Sequence, residues 1–309
     1  MHGSFRSLLL AWVTLACGPA FADEPAVPPE LARFEPYNSR PVFGGAGEGH
    51  WDAKIRERGW ILRAGESWRL WYTGYDGTRE GIKRLGLATS TDGLHWKRYP
   101  HNPLSEEWIE DAMVVRHEGR LYMFAEGERD QVQFLVSDDG LNWQSRGRLD
   151  VRLTDGERIP PGPVGTPTVF RRDGVWHLFY ERRDEGVWLA TSADLRVWTN
   201  VADDPVLRPG PDAYDVSRIA LNQIVEHDGR FYGLYHGTDD QDVPALWTSS
   251  LAVSDDLRTW TKYGDNPLFP KSANRSSNIL VPMSERRYRL YTMHDKVEAF
   301  LPTNANARE

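Results

Sequence analysis

Five short apolar-aromatic runs, each ending in polar residues, share one pattern: Leu70-Trp71-Tyr72-Thr73-Gly74, Tyr122-Met123-Phe124-Ala125-Glu126, Leu178-Phe179-Tyr180-Glu181-Arg182, Gly233-Leu234-Tyr235-His236-Gly237 and Leu290-Tyr291-Thr292-Met293-His294. Their matching aromatics, Tyr72, Phe124, Tyr180, Tyr235 and Tyr291, are separated by 52, 56, 55 and 56 residues. Self-similarity at such a period marks a repeat architecture. Another short strand precedes each run. A Gly-containing turn joins the two as a hairpin, most clearly at His117-Glu118-Gly119, Arg172-Asp173-Gly174 and His227-Asp228-Gly229. A third strand follows, and four units then close with a Ser-x-Asp turn and a tryptophan, over 90–96, 137–143, 192–198 and 254–260. Trp96, Trp143, Trp198 and Trp260 are therefore read as packing against the neighbouring unit, not as sugar contacts. Four antiparallel strands per unit, repeated radially, predict an all-β, five-bladed β-propeller, which solves the exposed-edge problem by closing a ring. The fifth unit stops soon after Val297-Glu298-Ala299-Phe300-Leu301 with no Trp turn. The segment around Arg40-Pro41-Val42-Phe43 is accordingly expected to supply the outer strand of the last blade.

Upstream of the repeats the pattern changes. Arg6, an apolar stretch from Leu8 to Ala16, and Ala20-Phe21-Ala22 spell a secretory signal peptide over residues 1–22, cut after Ala22. The expected mature chain, 23–309, is then a single propeller domain, secreted or periplasmic. The only cysteine, Cys17, falls inside this leader, which leaves the domain without disulfides or cysteine metal sites. Lipidation at Cys17 ranks lower, because Thr14-Leu15-Ala16 is a poor approach to a lipidated cysteine. No later apolar run is long enough to span a bilayer, so no membrane partner is expected after cleavage. A net charge of −8 disfavours nucleic acid, whose phosphates need a basic footprint, and favours a neutral substrate. Thirteen tryptophans and twelve tyrosines suit both sheet packing and stacking on sugar rings. Nucleotide, haem and zinc motifs are absent, since Gly44-Gly45-Ala46-Gly47 is followed by no helix pattern and the histidines lack ligand spacing. The sequence is silent on oligomeric state.

In a propeller blade the first strand lines the channel and the second runs antiparallel beside it, so the start of one and the end of the other open on the same face. Strand starts bring Asp52, Glu110, Asp111 and Asn222 to that mouth; second-strand ends bring Asp76, Glu126, Glu181, Arg182, Arg183, His236, His294 and Asp295. Asp52 stands out, because Trp51 and Ile55 surround it with apolar groups and a carboxylate there needs a partner or a purpose. Strand alternation lets only one of Glu110 and Asp111 face the channel, and Asp111 is preferred. Glu181 sits in the charge run Glu181-Arg182-Arg183-Asp184-Glu185, which reads equally as a solvated loop, and Glu126 competes for its role. His236 and His294 occupy equivalent repeat ends and suit substrate contact or acid–base work. No metal site is indicated, although pore carboxylates would suit a calcium ion.

Taken together, Trp71-Tyr72-Thr73-Gly74-Tyr75-Asp76, Glu110-Asp111-Ala112-Met113-Val114-Val115, Gly165-Thr166-Pro167-Thr168-Val169 and the Ser-x-Asp-Gly-Leu-x-Trp turns resemble the five-bladed propeller glycosidases, the superfamily of the arabinanases and xylosidases of glycoside hydrolase family 43 and of the invertases and levanases. The resemblance covers 23–309. It implies three acids around the pore: a catalytic Asp from the first blade, matched by Asp52; a second Asp that tunes the acid's pKa, matched by Asp111; and a general-acid Glu, for which Glu181 is first choice and Glu126 second. The sequence departs from the invertase pattern, with Trp51-Asp52-Ala53 for Asn-Asp-Pro and Glu110-Asp111-Ala112 for Arg-Asp-Pro. The implied function is a secreted glycoside hydrolase acting on an oligo- or polysaccharide, inverting with Asp52 as base. Glu126, Arg182, Asn222, His236, His294 and Asp76 would contact substrate. Two rivals stay open: a glycoside phosphorylase using Arg182 and Arg183 for phosphate, and a carbohydrate-binding propeller without chemistry.

Overall fold

The computed structural model describes residues 26–303; the expected leader, its cleavage point and Cys17 lie outside them. Five antiparallel sheets follow one another as blades. Blade 1 comprises Lys54–Ala64, Ser67–Tyr75, Arg84–Ser90 and Lys97–Arg98; blade 2, Glu110–His117, Arg120–Gly127, Gln131–Ser137 and Gln144–Arg148. Blade 3 comprises Gly165–Arg172, Val175–Glu181, Val187–Ser192 and Val197–Asn200, with a fifth strand, Asp150–Arg152, laid parallel to its outer edge. Blade 4 comprises Arg218–His227, Arg230–Thr238, Thr248–Ser254 and Thr261–Lys262. Blade 5 has Ile279–Ser284, Arg287–Met293 and Lys296–Pro302.

The expected N-terminal closure is present, and its outer strand is broken in two. Phe34–Pro36 pairs with Phe300–Pro302, and Phe43–Gly44 pairs with Lys296–Val297. Between them only the amides of Tyr37 and Val42 still reach this edge, donating to the carbonyls of Ala299 and Val297. Pro36 and Pro41 have no amide to donate, which confines them to such an edge. Leu31 and Phe43 are buried, so the closing segment is anchored by apolar packing as well as by its ladder.

The Ser-x-Asp turns act as expected. Each serine hydroxyl accepts the amide three residues on, at Gly93 (2.9 Å), Gly140 (2.8 Å), Leu195 (3.0 Å) and Leu257 (2.9 Å). Three of the tryptophans that follow wedge against the preceding blade. Trp143 meets Trp71, Trp198 meets Phe124 and Trp260 meets Phe179, all edge-on at 6.0 Å. The blade 5–blade 1 junction is held instead by the Tyr291 hydroxyl donating to the Gly93 carbonyl at 2.8 Å.

The pore is shaped by a second repeat that strand alternation alone does not reveal. Blades 1 to 4 each carry a register irregularity in the first strand, between Arg56 and Trp60, Glu110 and Met113, Gly165 and Thr168, and Leu221 and Gln223. A bulge adds one residue and re-aims its side chain. Glu57, Asp111, Thr166 and Ser277 stand at positive φ, between 39° and 50°, a conformation that costs a non-glycine residue roughly 1–3 kcal/mol. With Asn222, which sits in the blade 4 irregularity, they form a series spaced by 54, 55, 56 and 55 residues, one per blade.

Candidate active site

At the floor of the pore lies Arg58, fully buried, whose guanidinium ties four blades together. It donates to Thr168 Oγ1 and the Asn222 carbonyl (both 2.9 Å), to the Asp111 carbonyl (2.9 Å) and to the Pro167 carbonyl, while its backbone amide donates to Asp111 Oδ1 at 3.0 Å. Burial pulls its pKa down, against the pull of Asp111 and Glu126. Beside it, Asn222 donates to Asn278 Oδ1 at 2.6 Å and fixes the His236 ring through Oδ1 at 2.8 Å. Burial lowers His236 to about 4, leaving a neutral imidazole packed edge-on against Trp247 at 5.0 Å.

Around this floor stand the carboxyl groups. Glu110, Asp111, Glu126 and Glu181 are buried at the mouth ends of blades 2 and 3. Thr166 joins two of them, its amide donating to Glu126 Oε1 and its hydroxyl lying 3.3 Å from Asp111 Oδ2. Gly165 separates Glu126 from Glu181: a Cβ there would fall 1.9 Å from Glu181 Oε1 and 2.8 Å from Glu126 Oε1. Glu181 Oε2 accepts the Asp184 amide. Burial is the main cause that raises all four acids, to about 7 for Glu110, about 6 for Asp111 and about 8 for Glu181, with Glu126 held well above the usual range; neighbouring carboxylates add to each.

Glu57 differs. Burial would raise it too, but His294 Nδ1 at 3.6 Å from Oε2 and Arg56 at 3.1 Å from Oε1 outweigh that and hold it at about 2. Glu57 in turn raises His294. The rim is completed by Asp184, raised to about 6 chiefly by burial, and by Arg218, which faces Asp184 at 3.7 Å and lies 4.7 Å over the Trp247 ring.

Several expected site residues lie elsewhere. Asp52 is buried, but its Oδ2 is fixed by the Tyr72 hydroxyl (2.8 Å) and by Arg98 Nε (2.7 Å) on the outermost strand of blade 1, away from the pore. Asn102 also reaches Tyr72. Blade 4 repeats this arrangement with Asp215, Tyr235, Lys262 and Asn266, which makes it a structural clasp of the propeller. Asp76 is an exposed turn residue accepting from the amide and hydroxyl of Thr78. Arg182 donates to the Pro160 carbonyl at 2.7 Å, and Arg183 is an exposed loop residue at positive φ. Asp111, Glu126, Glu181, Asn222, His236 and His294 do converge. Glu57, Arg58, Asp184 and Trp247 were missed; Glu57 was reachable by stepping back one repeat, 54 residues, from Asp111.

Among the described residues one carboxylate group, Glu110, Glu126 and Asp130, has oxygens within 4.8 Å of one another, as a cation site would require. Arg56 Nε, 3.4 Å from Glu110 Oε2, already supplies a countercharge there.

No protein-family model matches the chain. A 1,2-β-oligomannan phosphorylase of Thermoanaerobacter sp. (strain X514) is 27% identical over 205 residues, 62% of this chain and 65% of that protein, so the match spans just under two thirds of that relative. Among solved structures, a glycosyl hydrolase from Bacteroides ovatus superposes with a TM-score of 0.69 at 19% identity, over 90% of this chain and 96% of that one. A structure reported with the statement that "the GH130 family of mannoside phosphorylases contains glycoside hydrolases that target beta-1,2 mannosidic linkages in Candida mannan" matches with the same score, identity and coverage. By fold, then, the chain is a five-bladed β-propeller, the architecture it shares with these structures.

Proposed function

We propose that this protein is a glycoside hydrolase that works outside the cytoplasm and cleaves a β-mannosidic bond in a short or terminal mannan chain at the pore. One observation carries this reading: a carboxyl group held protonated to about pH 8, Glu181 on blade 3, shares a pore with a carboxylate held ionised from about pH 2, Glu57 on blade 1, and Asp111 on blade 2 lies between them in the ring. Acid–base pairs of this kind are what glycosidic cleavage needs. Glu181 gives its proton to the glycosidic oxygen as the bond to the anomeric carbon breaks. A water attacks that carbon from the other side and loses its proton to Glu57, which inverts the configuration. Burial and then the Asp184 carboxylate keep Glu181 protonated, and Asp111, locked by the Arg58 amide and the Thr166 hydroxyl, adds a smaller push in the same direction. Trp247 offers a ring at the rim on which a sugar can stack. The mannoside assignment rests on the likeness to the oligomannan phosphorylase and to the structure associated with β-1,2 mannosidic linkages.

A phosphorylase is the second reading, and the same relative favours it. Against it, Arg56 is matched by Glu57 and Glu110, and Arg218 by Asp184 and Asp240, so neither of these two rim cations offers a phosphate an unpaired charge. Incubating the protein with β-1,2-mannobiose and mannotriose, with and without inorganic phosphate, separates the two. Free mannose formed without phosphate supports hydrolysis. Mannose 1-phosphate formed only with phosphate overturns it in favour of phosphorolysis, and no turnover in either condition overturns both.

A further inference from the structure

A groove with a volume of about 730 Å³ opens between blades 2 and 3. Its floor is the segment 158–164, which leads directly into Gly165, the residue between Glu126 and Glu181. Its inner wall is bonded to blade 2 on the mouth side, the Val164 amide donating to the Asp130 carbonyl at 2.8 Å and Gln131 Nε2 to the Gly162 carbonyl at 2.8 Å. Arg182, the residue after Glu181, clamps the rim through the Pro160 carbonyl. The groove wall thus stops one residue short of Gly165 along the chain and is joined at its rim, through Arg182, to the residue beside Glu181.

Its charge is opposite to that of the whole chain. Arg129, Arg148 and Arg158 line it, and among the described residues Asp150 is the one acidic residue that does; all three arginines are exposed. Arg158 lies 3.5 Å from Asp150, which is itself satisfied by Arg152 at 2.7 Å. Arg129 and Arg148 face no carboxylate within ion-pair distance among the described residues. Asp130, next to Arg129, turns its carboxylate to Glu110 and Glu126 instead. The neighbouring groove between blades 1 and 2 has the reverse sign, with Glu106, Glu107 and Glu128 against Arg148, which stands on the wall between the two grooves. Ile159 and a run of prolines give the cationic groove an apolar floor suited to sugar faces.

We infer that this groove receives an acidic group, a carboxylate or a phosphate ester, carried by the sugar chain on the leaving-group side of the bond that is cut. The inference rests on the hydrolase reading for its direction, since Glu181 protonates the leaving oxygen. Unpaired guanidinium groups recognise carboxylate and phosphate by forked hydrogen bonds, and a cationic groove on an acidic protein steers such a ligand to one side of the mouth.

The test uses matched substrate pairs: a β-mannooligosaccharide bearing a terminal glucuronate and its carboxyl-reduced twin, and a phosphorylated mannooligosaccharide and its phosphatase-treated twin. For each pair kcat/KM, and affinity by calorimetry, are compared between the wild type and the double variant Arg129→Ala/Arg148→Ala. The expected result is a preference of about fivefold or more for the acidic member at low salt, as for exposed ion pairs acting together, falling towards one in the variant and in 0.5 M NaCl. Whichever pair shows the preference identifies the acidic group. Equal use of both members of both pairs by the wild type, or a preference that the variant keeps, overturns the groove. Cleavage of the neutral members with no preference would leave the hydrolase standing, whereas tighter binding of acidic members without any cleavage would leave the groove standing and remove the hydrolase.

Discussion

Glu57 and Asp52 are five residues apart, both acidic, and they do different work. The sequence points to Asp52 because its apolar neighbours demand a partner for the carboxylate, and that demand is real: Tyr72 and Arg98 meet it. What the sequence hides is that Arg98, 46 residues away, is the partner, so burial was legible and purpose was not. Asp52→Asn should therefore cost stability, about 2 kcal/mol for a buried charged hydrogen-bond partner, and retain most turnover; Asp215→Asn in the equivalent clasp should cost a similar amount. Denaturant unfolding with parallel assays would check this, and loss of turnover in Asp52→Asn without loss of stability would restore Asp52 to the chemistry. The raised acids carry a prediction of opposite sign. Folding holds Glu181 protonated to about 8, whereas an unfolded glutamate ionises near 4.5, so its contribution to stability is complete at low pH and is lost as pH rises from about 4.5 through about 8. Glu181→Gln should then raise Tm by a few degrees at pH 9 and by less at pH 5. An equal change at both values would show that the carboxyl is not buried as described.

Strands, turns and blade wedges were legible because each is written locally: period-two runs, Gly turns, and a Ser-x-Asp motif whose hydroxyl and carboxylate close the turn by themselves. The bulged first strands were not. A bulge breaks the alternation used to choose between Glu110 and Asp111, and it lets both carboxyls enter the cluster, one against Arg56 and one against Arg58 and Thr166. The positive φ at Glu57, Asp111 and Thr166 follows from the same feature, and no composition signal marks it. Gly165 is the sharpest test at this level. Its Hα occupies the space between Glu126 and Glu181, so Gly165→Ala should separate the two carboxyls and lower kcat by about a hundredfold with little change in the far-ultraviolet spectrum. Wild-type kcat in that variant would mean that the Glu126–Glu181 spacing is irrelevant to the chemistry. Trp198→Ala, which removes the wedge on Phe124, should instead cost about 3–5 kcal/mol.

At the scale of the molecule, the first three of five blades gather acids from residues 57 to 184 into one pore, and the ring holds only if its last blade is closed by the first residues of the domain. Removing residues up to 45 takes away both pieces of that outer strand together with Leu31 and Phe43, and should lower Tm by more than 10 °C. An unchanged Tm would show that three strands suffice in blade 5. Ring closure also explains why the site was only partly readable: neighbours across the pore come from different blades, and single-sequence patterns report only neighbours along the chain. The most direct test of the central claim is the initial rate of mannose release from a β-1,2-mannooligosaccharide, without phosphate at pH 7, by the wild type, Glu57→Gln and Glu181→Gln side by side. The account predicts measurable release by the wild type and a loss of about a thousandfold or more in each variant, both still folded. Wild-type rates in either variant would contradict it.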